Sequence, residues 1–300
     1  MLVRTFTAIL RRALPSPAGL RVFITALCFS ALCLPDPVGA YETEAGVRFI
    51  VYDRRGPCAE VVSLDALVAA AEDADFVLLG EAHHSPAHHL LQAGVVARLV
   101  IAGKTADLVF EMIPIGIQGK LDAYTGDSHG LGAALLWEER GWPDWTLYEP
   151  IARIALANSL KLRAGGIDKR TIDRFVNASA GRNFVYSATG LRNLREKLQD
   201  THAGLLSPEQ LDRSVQVQKA RDLAMVMSIL SVGQTEGAIL IAGNDHVRKD
   251  WGVPSFLAQA APSRRVVSVG QFDMQDEIVA DCTTDKPYDF VILSSDEDRK

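Results

Sequence analysis

Four of the chain's seven histidines fall between His83 and His89, in the run Val77-Leu78-Leu79-Gly80-Glu81-Ala82-His83-His84-Ser85-Pro86-Ala87-His88-His89. Glu81 adds a carboxylate. Imidazoles and carboxylates move protons near neutral pH, and they are ligand types that zinc, manganese and iron accept. Two further apolar segments end in the same chemistry. Asp107-Leu108-Val109-Phe110 runs into Glu111, and Gly237-Ala238-Ile239-Leu240-Ile241-Ala242 leads through Gly243 to His246. If these segments are parallel neighbours, Glu81, His83, Glu111 and His246 converge on one crevice. Such a set fits a hydrolase in which Glu81, His83 and His246 bind a divalent metal such as zinc or manganese and Glu81 or Glu111 activates water.

Each residue also has a plainer explanation. A single histidine at a strand end is often just hydrogen-bonded to backbone, but three strand ends sharing one chemistry are hard to attribute to core packing. His84, His88 and His89 rank second. His88 takes the third helical position, where it can face the loop, and His89 points about 100° away around the helix. His129 and His202 sit in glycine-containing loops and carry no signal of their own.

Short apolar runs that stop at glycine or a carboxylate read as buried strands, here Asp75 to Leu79, Asp107 to Phe110 and Gly237 to Ala242. Their carboxyl ends are where open α/β sheets place ligand crevices. Ser63 is an N-cap for a helix over the following alanine-rich stretch. Ser85 and Pro86 cap and open a second helix that Gly103 closes near Ala102. Gly80 and Gly243, each three residues before a histidine, are expected to let the chain turn sharply as it leaves its strand.

Strands are also expected at Val47 to Tyr52, Lys161 to Ile167, Arg265 to Val269 and Asp289 to Leu293, with helices at Leu147 to Leu162, Pro208 to Leu230 and Val253 to Ala260. The stretch from Ile115 to about Leu230 is mostly helical and reads as an insertion capping the sheet. The fold class is therefore α/β, a mostly parallel central sheet flanked by helices with a helical cap.

The first forty residues differ in kind. Arg4, Arg11, Arg12 and Arg21 precede the apolar stretch Val22 to Leu34, and Val38-Gly39-Ala40 offers small residues for cleavage. This predicts a secretory signal over residues 1–40, a mature domain over 41–300, and an exported, periplasmic location. The apolar stretch is shorter than the roughly 20 residues of a membrane span, so no anchor is expected after cleavage. Removing residues 1–40 takes away those four arginines and Asp36, leaving 27 basic and 36 acidic residues, a net charge of −9. That argues against nucleic acid as a partner. Cys58 and Cys282 remain, and an oxidising compartment would permit them to pair.

Exported proteins can also hold ferric haem through a tyrosinate or an imidazole. His88, Tyr124 and Tyr148 are the residues nominated for that role, with Tyr186 also in the helical stretch and Arg248 placed to meet a propionate. Taken singly, each tyrosine is more readily explained as an amphipathic surface or interface residue.

The sequence resembles the ChaN family of haem-binding, iron-uptake-associated exported proteins, within the wider Tiki/TraB and erythromycin-esterase-like superfamily. The resemblance rests on Leu79-Gly80-Glu81-Ala82-His83, Pro86-Ala87-His88-His89 with Gln92, Phe110-Glu111-Met112 and the stretch from Gly141-Trp142 to Tyr148-Glu149-Pro150-Ile151. It continues through Gln218, Arg221-Asp222 and Met225 to Ile241-Ala242-Gly243-Asn244-Asp245-His246-Val247-Arg248 and Gly252-Val253-Pro254. These blocks occur in order along nearly the whole mature chain. The resemblance implies an α/β core with a helical subdomain, haem as cofactor, and a homodimer around the haem. Its superfamily's enzyme branches imply the alternative, a metal-dependent hydrolase acting on a peptide or ester. The chain departs from the family pattern at His84, where Asp is commoner, at Asp245, where Gly is usual, and in lacking a lipobox.

Overall fold

The computed structural model describes residues 41–177, 183–232, 237–275 and 287–295. The expected signal segment and Cys282 lie outside the described residues, and Cys58 is disulfide-bonded. Among the described residues, no helix is long and apolar enough to cross a membrane.

The strands are β1 (Tyr41–Glu42), β2 (Arg48–Asp53), β3 (Glu60–Val62), β4 (Phe76–Glu81), β5 (Asp107–Pro114), β6 (Leu162–Gly166), β7 (Ala238–Gly243), β8 (Val266–Asp273) and β9 (Phe290–Ser295). They form one sheet in the order β1-β2-β9-β8-β4-β7-β5-β6, with β3 off β2. From β9 to β6 every pairing is parallel, and β1, β2 and β3 add an antiparallel edge. The longer helices are α1 (Leu64–Glu72), α2 (Pro86–Ile101), α5 (Trp145–Ala157), α6 (Lys169–Asn177), α7 (Ala188–Thr201), α8 (Pro208–Leu230) and α9 (Val253–Ala260). Shorter α3 (Gln118–Asp122) and α4 (Ser128–Ala134) lie in the connections.

Side chains alternate across a strand, so each central strand feeds two cores. Val77 and Leu79 of β4, Leu108 and Phe110 of β5, and Ile239 and Ile241 of β7 pack with α1, α2 and α5. Phe76, Leu78, Val109, Ala238 and Leu240 point to the opposite face and pack with α8 and α9. Fully burying each valine, leucine, isoleucine or phenylalanine among them contributes roughly 1.5–3 kcal/mol. Helix starts follow the capping chemistry. The Ser63 and Ser85 side chains accept hydrogen bonds from Ala66 N and His88 N, and Gly103 ends α2 at φ +90.

The stretch from Ile115 to Leu230 is mostly helical, and between its helices it supplies edge strand β6, near the strand expected at Lys161 to Ile167; helix α5 packs on one face of the sheet and helix α8 on the other. One expectation needs correction: Glu111 does not end its strand, since β5 continues through Met112 and Ile113 to Pro114, which pairs with Gly166.

The chain order reverses around β4 and β7. From β4 the chain crosses to β5, and from β7 it crosses back over β4 to β8. This is a topological switch point, where a parallel sheet opens a crevice at its carboxyl edge. Glu81 and Gly243 are register partners there.

Candidate functional site

Strand alternation also decides how the site is wired. Glu81 follows Val77 and Leu79 on the face covered by α2 and α5. Its Oε1 accepts hydrogen bonds from Tyr148 of α5 at 2.8 Å and from His83 Nδ1 at 2.7 Å, while Oε2 lies 3.3 Å from His89 Nδ1 of α2. Burial pushes this carboxyl up, but His83 and His89 more than offset it and hold it at about 2.

Glu111 shares the parity of Val109 and turns to the α8 side. Its Oε2 accepts from Gly243 N at 2.8 Å, and Oε1 lies 3.2 Å from His246 Nε2. His246 Nδ1 is 2.6 Å from Asp222 of α8. Burial disfavours the imidazolium, yet the Glu111 and Asp222 carboxylates push His246 up to about 10. Burial likewise raises Asp222, to about 6, against the pull of His246. Gln218 Nε2 is drawn 3.1 Å from His246 Nδ1. A protonated Nδ1 has no lone pair to accept that donor, so the amide is better assigned with its oxygen facing the ring.

The halves meet at His83. Its Nδ1 is held by Glu81, its Nε2 lies 4.0 Å from Glu111, and its ring meets the Trp142 ring edge-on at 4.9 Å. The side chain is 29% exposed, against 7% for His246.

The histidine run itself divides by direction. Ser85 N donates to Ala82 O at 2.9 Å and closes a turn with His83 and His84 at its centre. His83 points inward and His84 is exposed. Helix α2 braces this turn twice: His88 Nδ1 accepts from Ala82 N at 2.9 Å, and His89 Nε2 lies 3.0 Å from the His83 carbonyl. Burial pushes His88 down to about 4, so it is neutral in this role.

The two glycines serve close approach rather than a sharp turn, since neither has positive φ. A Cβ on Gly80 would come within 2.8 Å of Val247 and 2.9 Å of the Val269 carbonyl, and one on Gly243 within 3.2 Å of His83 Nε2.

Comparison with known families places this constellation. A sequence model described as "Haem-binding uptake, Tiki superfamily, ChaN" matches residues 67–257, a span that contains every residue of the network. The chain belongs to that family. The structure titled "Cofacial heme binding to ChaN of Campylobacter jejuni" is similar at TM-score 0.68 and 21% identity, over 83% of this chain and 97% of that one. At that identity the likeness shows a shared fold. Lower similarity connects the type III effector HopBA1, at TM-score 0.45 and 17% identity over 80% of this chain and 94% of that one. A mutant of the erythromycin esterase EreC in its open conformation has TM-score 0.40 and 12% identity, over 77% of this chain and 78% of that one. No curated protein matches the chain in sequence.

Within this ChaN-type chain, the sequence-nominated residues separate. Glu81, His83, Glu111 and His246 do come together. The Glu81 Oε1 and the Nδ1 of each histidine are taken by internal partners, while both Nε2 atoms face Glu111. Among the described residues, no group of three or more His, Cys, Asp or Glu side chains is arranged to hold a metal ion. Of the residues nominated for haem, His88 braces the turn. Tyr148 is fully buried, donates to Glu81 and packs on Trp137 at 4.8 Å, and burial raises its phenol well above its ordinary range. Tyr124 donates to Asp127 O within its own loop at 2.7 Å. Arg248 is paired with Asp250 at 2.9 Å and lies over the Trp251 ring at 3.7 Å.

Sequence reasoning gave no role to Asp222 or Gln218. The available signal was a carboxylate next to Leu223, Ala224 and Met225 in a helix whose other acidic residues are exposed. Such a residue needs a buried partner.

Proposed function

We propose that this protein binds haem at the carboxyl edge of its sheet, in an exported compartment, and serves haem or iron uptake. The observation that carries this reading is the match of the haem-binding uptake family over residues 67–257, which takes in Glu81, His83, Glu111, Asp222 and His246. Three further features support it. The Campylobacter jejuni relative is described as binding haem cofacially, an arrangement that would place two haems, and hence two copies of this chain, face to face. The first forty residues have the charge and hydropathy of a secretory signal. The turn after β4 carries an exposed imidazole, a side chain that ligates haem iron.

Titration of the purified protein with haemin, followed at the Soret band, tests the reading. A saturable shift is expected, with a larger hydrodynamic mass if a second copy covers the haem. A Soret band that stays that of free haemin overturns it. Cell fractionation tests export, with periplasmic recovery expected.

A second reading has one observation in its favour. His83 is aligned by Glu81 through Nδ1, its Nε2 faces Glu111, and it is the partly exposed member of the network. This is the arrangement of an oriented general base acting on water, and it suits hydrolysis of an ester or peptide. Turnover of an ester or peptide panel, abolished by His83→Ala, would favour this reading.

A further inference from the structure

Beside the turn after β4 two strands of the sheet part. Strands β4 and β8 pair as far as Leu79 and Val269, and no register pair follows, although β4 runs on to Glu81 and β8 to Asp273. Side chains bridge the gap in place of the ladder. Asn244 Nδ2 donates to the Gln271 carbonyl, and Asn244 Oδ1 accepts from Gln271 N at 2.9 Å. Gln271 Nε2 in turn donates to the Gly80 carbonyl at 2.7 Å and to the His88 carbonyl at 3.3 Å. These two carbonyls fix which end of the amide is nitrogen, since the flipped amide would set oxygen against oxygen. Oε1 is therefore the orphaned end. Gln271 is 2% exposed, and its Oε1 accepts no hydrogen bond from the described residues.

A cavity of about 190 Å³ opens at this gap, lined in part by His84, Ser85, Asn244, Gln271, Asp273 and Ser294. Neither Glu81, His83, Glu111, Asp222 nor His246 lines it, so it is separate from the buried network. Most donors in its wall are spent. Asn244 Nδ2 and Gln271 Nε2 are on the carbonyls just named, and the His88 ring lies between Ala82 N and the Phe272 carbonyl. No lysine or arginine lines the cavity. The start of α2 adds little, because Pro86 has no N–H and the Ser85 side chain accepts from His88 N. What the wall has left is mainly acceptor capacity: Gln271 Oε1, the Asp273 carboxylate, and the Ser85 and Ser294 hydroxyls. The cavity is smaller than the roughly 300 Å³ at which drug-sized pockets begin, so its ligand has only a few heavy atoms. A metal ion suits it poorly, since Asp273 is its one carboxylate and no group of three or more His, Cys, Asp or Glu side chains is arranged to hold one among the described residues.

We propose that this cavity is a binding site for a small primary amine, whose ammonium group meets Gln271 Oε1 and the Asp273 carboxylate. An ammonium brings three donors and a positive charge, the complement of an acceptor-rich wall that carries one carboxylate. It also supplies the partner that the buried Gln271 Oε1 lacks within the protein. The site stands apart from the haem-binding reading, and neither needs the other.

The test is titration of the intact protein with ethanolamine, with ethylene glycol as the neutral probe of nearly the same shape and sodium chloride as the ionic-strength control. Binding is read by calorimetry and by nitrogen-edited NMR of the Gln271 side-chain amide. A single saturable site is expected for ethanolamine, with a shift of the Gln271 amide resonances, and none for ethylene glycol or sodium chloride. Asp273→Asn and Gln271→Met should each weaken ethanolamine at least about tenfold, the loss of one charge-assisted hydrogen bond. Asp273→Asn is nearly isosteric and half-buried, so it decides the question if Gln271→Met fails to fold. Absence of saturable ethanolamine binding overturns the proposal. So does ethylene glycol binding as tightly as ethanolamine, which would mark a neutral polar pocket. Undiminished affinity in either variant that melts as the unsubstituted protein does also overturns it.

Discussion

Two imidazoles at one sheet edge, each paired with carboxylates, end in different states. His246 lies between two carboxylates, 3.2 Å from Glu111 and 2.6 Å from Asp222, and is 7% exposed. His83 has one close carboxylate, Glu81 at 2.7 Å, with Glu111 at 4.0 Å, and is 29% exposed. The first is pushed to about 10 and behaves as a fixed charge. The second is raised only as far as Glu81 and Glu111 outweigh its burial. The difference arises from strand parity. Glu81 and Glu111 point to opposite faces, so one meets α2 and α5 while the other meets α8, and only α8 brings a second carboxylate.

The largest effect should come from removing that second carboxylate. Asp222→Ala leaves a buried imidazolium with half its compensation, and stripping one partner from a buried pair costs about 3–5 kcal/mol. Urea unfolding at pH 7 measures it, and a loss under about 1 kcal/mol would erase the distinction between the halves.

Next in size is the alkaline limb of stability. The folded pKa of His246 is raised above its ordinary 6.5, so its contribution is complete below about pH 6.5 and is lost as pH rises toward about 10. Asp222, raised from 3.8 to about 6, acts in the same direction at lower pH, with stability falling as it ionises. Urea midpoints should therefore fall from pH 6.5 to 10, and less steeply in His246→Gln. An equal slope in the variant would show that His246 is not the clamped group.

Smaller changes are expected on the Glu81 side. Tyr148→Phe removes one hydrogen bond from a carboxylate that keeps His83 and His89, for a cost of about 1 kcal/mol in the same unfolding assay. His83→Ala, at a partly exposed position, should cost less than about 1 kcal/mol. A His83 loss larger than that of Asp222→Ala would invert the ranking of the two halves.

Much of this was legible in the sequence because it is local. The apolar runs at Val77 to Leu79 and Ile239 to Ala242, the caps at Ser63 and Ser85 and the closing Gly103 each follow from a few adjacent residues. The convergence of Glu81, His83, Glu111 and His246 was legible too, since parallel strands bring their carboxyl ends to one edge.

What escaped was pairing across long sequence separations. Tyr148 looks like a ligand until Glu81, 67 residues away, accepts its hydroxyl, and Glu111 looks like a free base until Gly243, 132 residues on, donates to it. Asp222 shows no partner in its own helix. His84 and His88 could not be ranked by period alone, because a turn points one outward and a helix turns the other onto that turn.

The clamped and titratable halves differ in the protonation of their two imidazoles, and nitrogen-detected NMR of the histidine rings across pH 5 to about 10.5 reads that difference residue by residue. His246 should keep both ring protons through pH 9, whereas His83 loses one at a lower pH and His246→Gln removes only the late transition. A His246 ring that titrates near 6.5, or before His83, would contradict the assignment of a clamped and a titratable half.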